Sequence, residues 1–301
     1  MGRDVAMPSW PLLAPLAPRL SLRQCGGMKT RFAPSPTGLL HLGHAMAAQT
    51  AWDLAQAARG TFLVRIEDID FTRCRPGFEA AIFEDLSWLG LTWPQPVWRQ
   101  LDRMVQYAAA LESLRCLGVL YPCFCTRHEI AAAITAPQGD AAAVYPGTCR
   151  QRSPQECQDR IAAGEVFAWR LDAIQALALT GPLTWEDQRA GRQSVDLSAV
   201  GDVVLGRKDV ATSYHLAVTV DDAAQDITVV SRGSDLFDST HVHRLLQALL
   251  DLPVPLWHHH VLIRDETGKR LAKRDAARSL RSLRESGHTP ESIRAWLRTA
   301  C

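Results

Sequence analysis

Apolar residues change their spacing repeatedly along this chain, and each change predicts an element. From Lys29, "KTRFA" reads as a short strand, the Pro/Ser/Thr/Gly segment after it as a loop, and "HLGHAMAAQTAWDLAQAARG" as an Ala-rich helix closed by Gly60. "TFLVRIEDID" predicts a second strand. Phe78, Ile82, Phe83, Leu86 and Leu89 then recur at helical spacing before Gly90, as do Leu101, Met104, Ala108 and Leu111 before Gly118. Strand and helix alternate, which predicts an α/β fold built on a parallel sheet.

From about Tyr121 this rhythm gives way to a Cys-rich segment and then to a helix start marked by Ser153, Pro154 and Glu156, a capping-box arrangement. Strand candidates return in "DVVLG", "YHLAVTV" and "DITVVSRG", followed by a helix over "STHVHRLLQALL" and a strand in "HVLI". Thr289 and Pro290 mark the start of one short terminal helix. A core split by an insertion follows: a leader over 1–28, a first half over 29–120, the insertion over 121–200, a second half over 201–263, and a loop with a helical tail over 264–301.

Composition narrows the function classes. A length of 301 residues suffices for a buried core. A net charge of +1 excludes attachment to nucleic acid or membrane by overall charge, so any such contact must be local. No apolar run reaches the roughly twenty residues of a membrane span. The first residues, as far as "RQCGG", lack a signal-peptide core and cleavage site, and Met28 makes a more natural start. The leader is expected to be disordered or mis-assigned, and the protein to be cytoplasmic and monomeric.

Cys123 and Cys125 in "CFC", with Cys149 shortly after, favour a metal site over a disulfide framework in so long a chain. Structural zinc takes four ligands in a closed tetrahedron, so three thiolates leave one position open. His128 and Cys157 are chemically conventional candidates for it. C-x-C is not the C-x-x-C of thioredoxin-like redox sites.

In "RFAPSPTGLLHLGH", Arg31 to His44, two histidines lie three positions apart, so both project from the first turn of the predicted helix. Unpaired backbone N–H groups and the helix dipole attract anions there, and two imidazoles add donors suited to phosphate oxygens. Walker and G-x-G-x-x-G fingerprints are absent.

The whole string resembles the HIGH signature of class I aminoacyl-tRNA synthetases, in the form found in their glutamate and glutamine branch. That resemblance implies a Rossmann-type catalytic domain in which His41, Gly43 and His44 meet ATP, with the histidines stabilising charge as the amino-acid carboxylate attacks the α-phosphate. In "KRLAKRD", Arg270, Leu271, Ala272, Lys273 and Arg274 occupy the five positions of the family's KMSKS loop, which assigns Lys273 to the pyrophosphate leaving group. Both consensus serines and the first lysine are replaced. Only four lysines occur in the chain, and two of them fall in this segment.

The same resemblance assigns Glu67 in "RIEDID" to the substrate's α-ammonium, and Arg31 and Arg232 to its carboxylates. Tyr214, Ala33 and Ser35 complete the amino-acid pocket. Two arginines and a glutamate suit a dicarboxylic amino acid, favouring glutamate over glutamine. For Arg31 and Glu67 a salt bridge between strands is the structural alternative, and for Tyr214 ordinary packing. Magnesium is expected with ATP. Asp68, Asp70, Asp221 and Asp222 receive no catalytic assignment.

"YPGTC" after "CFC" resembles the zinc motif of the glutamyl-queuosine tRNA(Asp) synthetases, in which the residue equivalent to Tyr145 joins Cys123, Cys125 and Cys149. Few residues follow Lys273, and so short a remainder is expected to lack the anticodon-reading domains of glutamyl-tRNA synthetases. The family with that plan moves glutamate from its adenylate to queuosine in tRNA(Asp). A shortened synthetase charging tRNA(Glu), a non-catalytic RNA-binding module and an unrelated nucleotidyltransferase are the competing readings.

Overall fold

The computed structural model describes residues 27–126, 128–130, 144–263 and 278–299. β1 (Lys29–Phe32) leads through the Pro/Gly loop to α1 (Leu42–Ala57), β2 (Thr61–Ile66), α2 (Pro76–Trp88), the short β3 (Trp98–Arg99) and α3 (Met104–Cys116). The middle of the chain contributes β4 (Leu120–Cys123), α4 (Pro154–Ala162), β5 (Ala168–Leu171), α5 (Ala173–Thr180), β6 (Thr184–Asp187), β7 (Gly191–Ser194) and β8 (Val204–Gly206). α6 (Tyr214–Ala224), β9 (Val229–Gly233), α7 (Ser239–Leu249), β10 (Leu256–His260), α8 (Leu280–Glu285) and α9 (Pro290–Thr299) complete it.

β1 pairs parallel with β2, β2 with β3, β9 with β10, and β10 with β6, while β7 runs antiparallel to β6. The Thr228 N–H donates to the Lys29 carbonyl at 3.0 Å and brings β9 against β1. The strand order is therefore β3, β2, β1, β9, β10, β6, β7. Chain connections leave β1 in one direction and β9 in the other, so the crevice at their carboxyl ends is the switch point where α/β sheets bind ligands. A smaller antiparallel sheet is formed by β4, β5 and β8.

These pairings cross the expected boundary near residue 200. β6 and β7 lie in the segment expected to be the insertion yet extend the parallel sheet, whereas β8, expected to resume that sheet, pairs with β5. "YHLAVTV" is α6, not a strand: Ser213 caps it by accepting the Leu216 N–H, and Thr219 back-bonds to the His215 carbonyl at 2.8 Å. Its apolar residues surround the helix because α3 and α7 both pack against it, which erases the one-sided spacing that marks a surface helix. The last strand is "LWHHH", earlier than "HVLI", with Trp257, His259 and His260 buried.

α1 approaches the sheet closely because Ala45, Ala48, Ala51 and Ala55 form its inner face, and buried Thr30 donates to the Ala51 carbonyl at 2.7 Å. Its chain reversal falls on Arg59, at φ 51°, rather than on Gly60. Gly60 serves close approach instead, since a Cβ there would stand 2.0 Å from the Met28 carbonyl oxygen. In α3 the buried face is Tyr107, Ala110 and Leu114, while Leu101 before it is exposed. Two helices, α8 and α9, end the described chain, and Leu280, Leu283, Ile293 and Leu297 join the same core as Phe32, Ile66 and Leu86. No helix among the described residues is long and apolar enough to cross a membrane.

Candidate active site

His41 is the N-cap of α1, and its Nδ1 accepts the Gly43 N–H at 3.1 Å. Reciprocally, the His41 N–H donates to His44 Nδ1 at 3.1 Å, closing a capping box made of two imidazoles whose ring centroids lie 3.8 Å apart. With Nδ1 of each ring accepting, the ring proton resides on Nε2, the edge turned away from the backbone. Gly43 is required by this arrangement: a Cβ would come within 2.9 Å of His41 Cε1. Ser279 bridges to His41, and the Leu280 N–H donates to the Leu40 carbonyl at 2.8 Å. Lys273 and the rest of the KMSKS-like loop lie outside the described residues.

At the carboxyl ends of the central strands, β1 supplies Arg31, the residue after β2 is Glu67, β9 supplies Arg232, and Tyr214 opens α6. The four act on one another electrostatically, so the structure gathers them in one neighbourhood. Ala33 and Ser35 belong to the loop after β1, with Ala33 half-buried and Ser35 exposed.

Arg31 is already engaged. Its Nε and Nη2 form a bidentate pair with Asp222 at 3.0 and 3.2 Å, and its Nη1 donates to the Ser231 carbonyl at 3.0 Å. Arg65, fully buried on β2, reaches the same Asp222 at 2.9 Å, Glu67 at 3.4 Å and Asp221 at 3.7 Å. Asp221 also receives Arg103, at 2.6 Å, and the Tyr107 hydroxyl, at 2.7 Å. Burial alone would raise Asp222, but Arg31 and Arg65 hold its carboxyl below the ordinary range. Burial pushes Glu67 up to about 7 against the pull of Arg65 and Arg31. Asp68 instead accepts the Leu101 N–H at 2.9 Å, and Asp70 bonds Thr72 and Arg73.

Arg232 has a different shell. Only 5 % exposed, it forms no ion pair with a carboxylate among the described residues. Its Nε donates to His259 Nε2 at 3.2 Å, its Nη1 to His243 Nδ1 at 3.1 Å and to the Tyr214 hydroxyl at 3.5 Å, and its Nη2 to Thr240. Sequence reasoning missed these histidines. The available signal was three histidines in a row at 258–260 and the pair at 241 and 243, in segments otherwise patterned as core.

In the middle segment, the sulfurs of Cys123, Cys125 and Cys149 lie within 4.8 Å of one another. The Tyr145 hydroxyl stands 3.5 Å from the sulfurs of both Cys123 and Cys125 and accepts the Cys149 N–H at 2.9 Å. Three soft sulfurs and one oxygen converging this closely could hold one tetrahedral metal ion. Exposed His128 is outside the group, and Cys157 packs beside it without joining its ligand atoms. Arg170 lies 3.8 Å over the Tyr145 ring. Burial raises the Cys125 thiol to about 11. Cys149 experiences the same penalty, but hydrogen bonds from Tyr145, the Phe124 backbone and Arg152 bring it down to about 6.

The model of the family "tRNA synthetases class I (E and Q), catalytic domain" matches residues 27–300. A Glutamyl-Q tRNA(Asp) synthetase of Rhodobacter capsulatus is 50 % identical over 89 % of this chain and 98 % of its own length. Another from Nocardia farcinica is 44 % identical over 89 % of this chain and 82 % of its own. A solved glutamate tRNA ligase from Elizabethkingia meningosepticum, in complex with its amino acid, superposes with a TM-score of 0.74 at 27 % identity, covering 90 % of this chain and 60 % of that one. The chain thus spans less than two thirds of that ligase while matching nearly all of the Rhodobacter relative. With a parallel sheet open at its switch point, an imidazole-capped first helix and this similarity along nearly its whole length, the chain belongs to the glutamyl-Q tRNA(Asp) synthetase family of class I synthetases.

Proposed function

We propose that this protein activates L-glutamate with ATP and transfers it to the queuosine base in the anticodon loop of tRNA(Asp), as the names of its relatives indicate. The observation that carries the amino-acid assignment is the pairing of opposites at the switch point. A buried cation, Arg232, has no carboxylate partner among the described residues, and a buried carboxylate, Glu67, shares its neighbourhood. The first suits an acidic side chain and the second an α-ammonium. Arg31, Ala33, Ser35 and Tyr214 complete the pocket in this reading.

Two displacements follow. A glutamate α-carboxylate oxygen attacks the α-phosphorus of ATP, the bond to the bridging oxygen breaks, and pyrophosphate leaves. A queuosine hydroxyl then attacks the activated carbonyl, losing its proton as AMP departs. His41 and His44 present Nε2–H donors to the phosphates at the α1 terminus, Gly43 keeps that terminus accessible, and Lys273 neutralises pyrophosphate. Magnesium accompanies the nucleotide. Cys123, Cys125, Tyr145 and Cys149 would hold zinc, which when bound supplies a structural tie. The reaction is placed in the cytoplasm, with no membrane partner.

The test supplies ATP, labelled glutamate and either queuosine-containing tRNA(Asp) or unmodified tRNA(Glu). Label on the queuosine of tRNA(Asp) is expected. Label on the terminal adenosine of tRNA(Glu) would select the synthetase reading, and absence of glutamate-dependent pyrophosphate exchange would leave a binding module.

A further inference from the structure

A guanidinium donates and never accepts, so every ring nitrogen facing Arg232 must present a lone pair. His259 Nε2 and His243 Nδ1 therefore carry no proton. The protons sit at the far edges: His259 Nδ1 donates to Asp187 Oδ2 at 2.7 Å, and His243 Nε2 donates to His215 Nδ1 at 3.1 Å. Asp187 is itself fixed, since its Oδ1 accepts the Arg189 and Ala190 N–H groups at 2.8 Å each. Thr240 accepts from Arg232 Nη2 and lies 3.2 Å from His259 Nε2. The chain Asp187, His259, Arg232, His243, His215 thus has one consistent set of proton positions.

Four acceptors hold the guanidinium, and none carries a charge. We propose that His243, His259 and, behind them, His215 and Asp187 are positioning residues that aim Arg232 at the substrate's acidic side chain without neutralising it, and so set the preference for a carboxylate over an amide. The inference rests on the reading of Arg232 as the receptor for that side chain. A protein carboxylate in place of either imidazole would hold the arginine as firmly, but it would cancel the charge that distinguishes glutamate from glutamine. The electrostatics agree: burial, with Arg232 adding to it, brings His215 and His259 down to about 4 and His243 well below its ordinary value, so the cage stays neutral.

The decisive experiment compares His243→Asn with His243→Asp in glutamate-dependent pyrophosphate exchange. The two side chains offer an oxygen of the same reach and differ in charge. His243→Asn is expected to keep the glutamate KM within about threefold of the parent, whereas His243→Asp raises it about 30-fold or more and narrows the glutamate-to-glutamine ratio of kcat/KM, with the ATP KM unchanged. Equal glutamate KM values in the two variants, or a parallel rise in both substrates' KM, would overturn the proposal. If His243→Asp does not fold, nitrogen NMR of the parent protein decides instead. His243 Nδ1 and His259 Nε2 should appear unprotonated at neutral pH, and a doubly protonated ring at either position sinks the idea. Complete absence of glutamate-dependent exchange in the parent would overturn the functional reading, leaving the NMR measurement to test the cage.

Discussion

Two arginine neighbourhoods stand side by side at the switch point, and their partners divide them. Arg31 and Arg65 share Asp222, with Asp221 and Glu67 adding negative charge, so that cluster largely balances itself. Arg232 is equally buried but surrounded by imidazoles, a hydroxyl and a phenol. A buried ion pair makes a poor receptor because its field is already spent, whereas a cation held only by dipoles still attracts an anion. Residue type alone would have assigned the arginines the same role.

The largest effect should come from the uncompensated side. Arg232→Leu is expected to lower kcat/KM for glutamate about 1,000-fold in pyrophosphate exchange, roughly 4 kcal/mol of lost stabilisation, while the variant remains folded by circular dichroism. A loss smaller than tenfold would erase the distinction between the two arginines. On the balanced side the corresponding cost falls on stability. Asp222→Asn leaves two buried guanidinium groups short of a counter-ion and should reduce the unfolding free energy by about 3–5 kcal/mol in urea titration. If it costs no more than a surface substitution, the cluster is not the scaffold it resembles.

Glu67 sits between the two neighbourhoods and sharpens the comparison. Its Gln variant should raise the glutamate KM about 30-fold, roughly 2 kcal/mol for a lost charge-assisted contact. Because burial lifts Glu67 to about 7, its carboxylate form is depleted below that pH. The parent's glutamate KM is therefore expected to climb as pH falls through about 7, by up to tenfold per unit, and the Gln variant to show a flat profile. Matching profiles would remove Glu67 from the ammonium site. The smallest effect on the amino acid should come from Cys149→Ser, which is expected to reduce bound zinc measured by elemental analysis while changing the glutamate KM less than about twofold.

What is legible in the sequence divides along physical lines. Short-range signals suffice for β1 to α2, where Gly90 takes φ 75° after a helix of regular apolar spacing, and for α4, whose Ser153 cap is visible in the sequence. Spacing misassigns α6 because a helix packed on two sides has no polar stripe, and it displaces β10 because buried histidines do not count as apolar. Tyr145 is recognisable through a motif, and the converging hydroxyl agrees with that placement. The charge network has no local signature. Arg31 and Asp222 are 191 positions apart, and only the meeting of β1 with α6 shows that the internal salt bridge, the structural alternative for Arg31, exists with Asp222.

The double cap at the start of α1 has a consequence for how His41 and His44 are studied. Each ring is bifunctional: one nitrogen fastens backbone, and the other faces outward for chemistry. An alanine scan would confound the two, loosening the first turn at the same moment that it removes a donor. Acid would do likewise, since a second proton must land on the nitrogen that acts as a clasp.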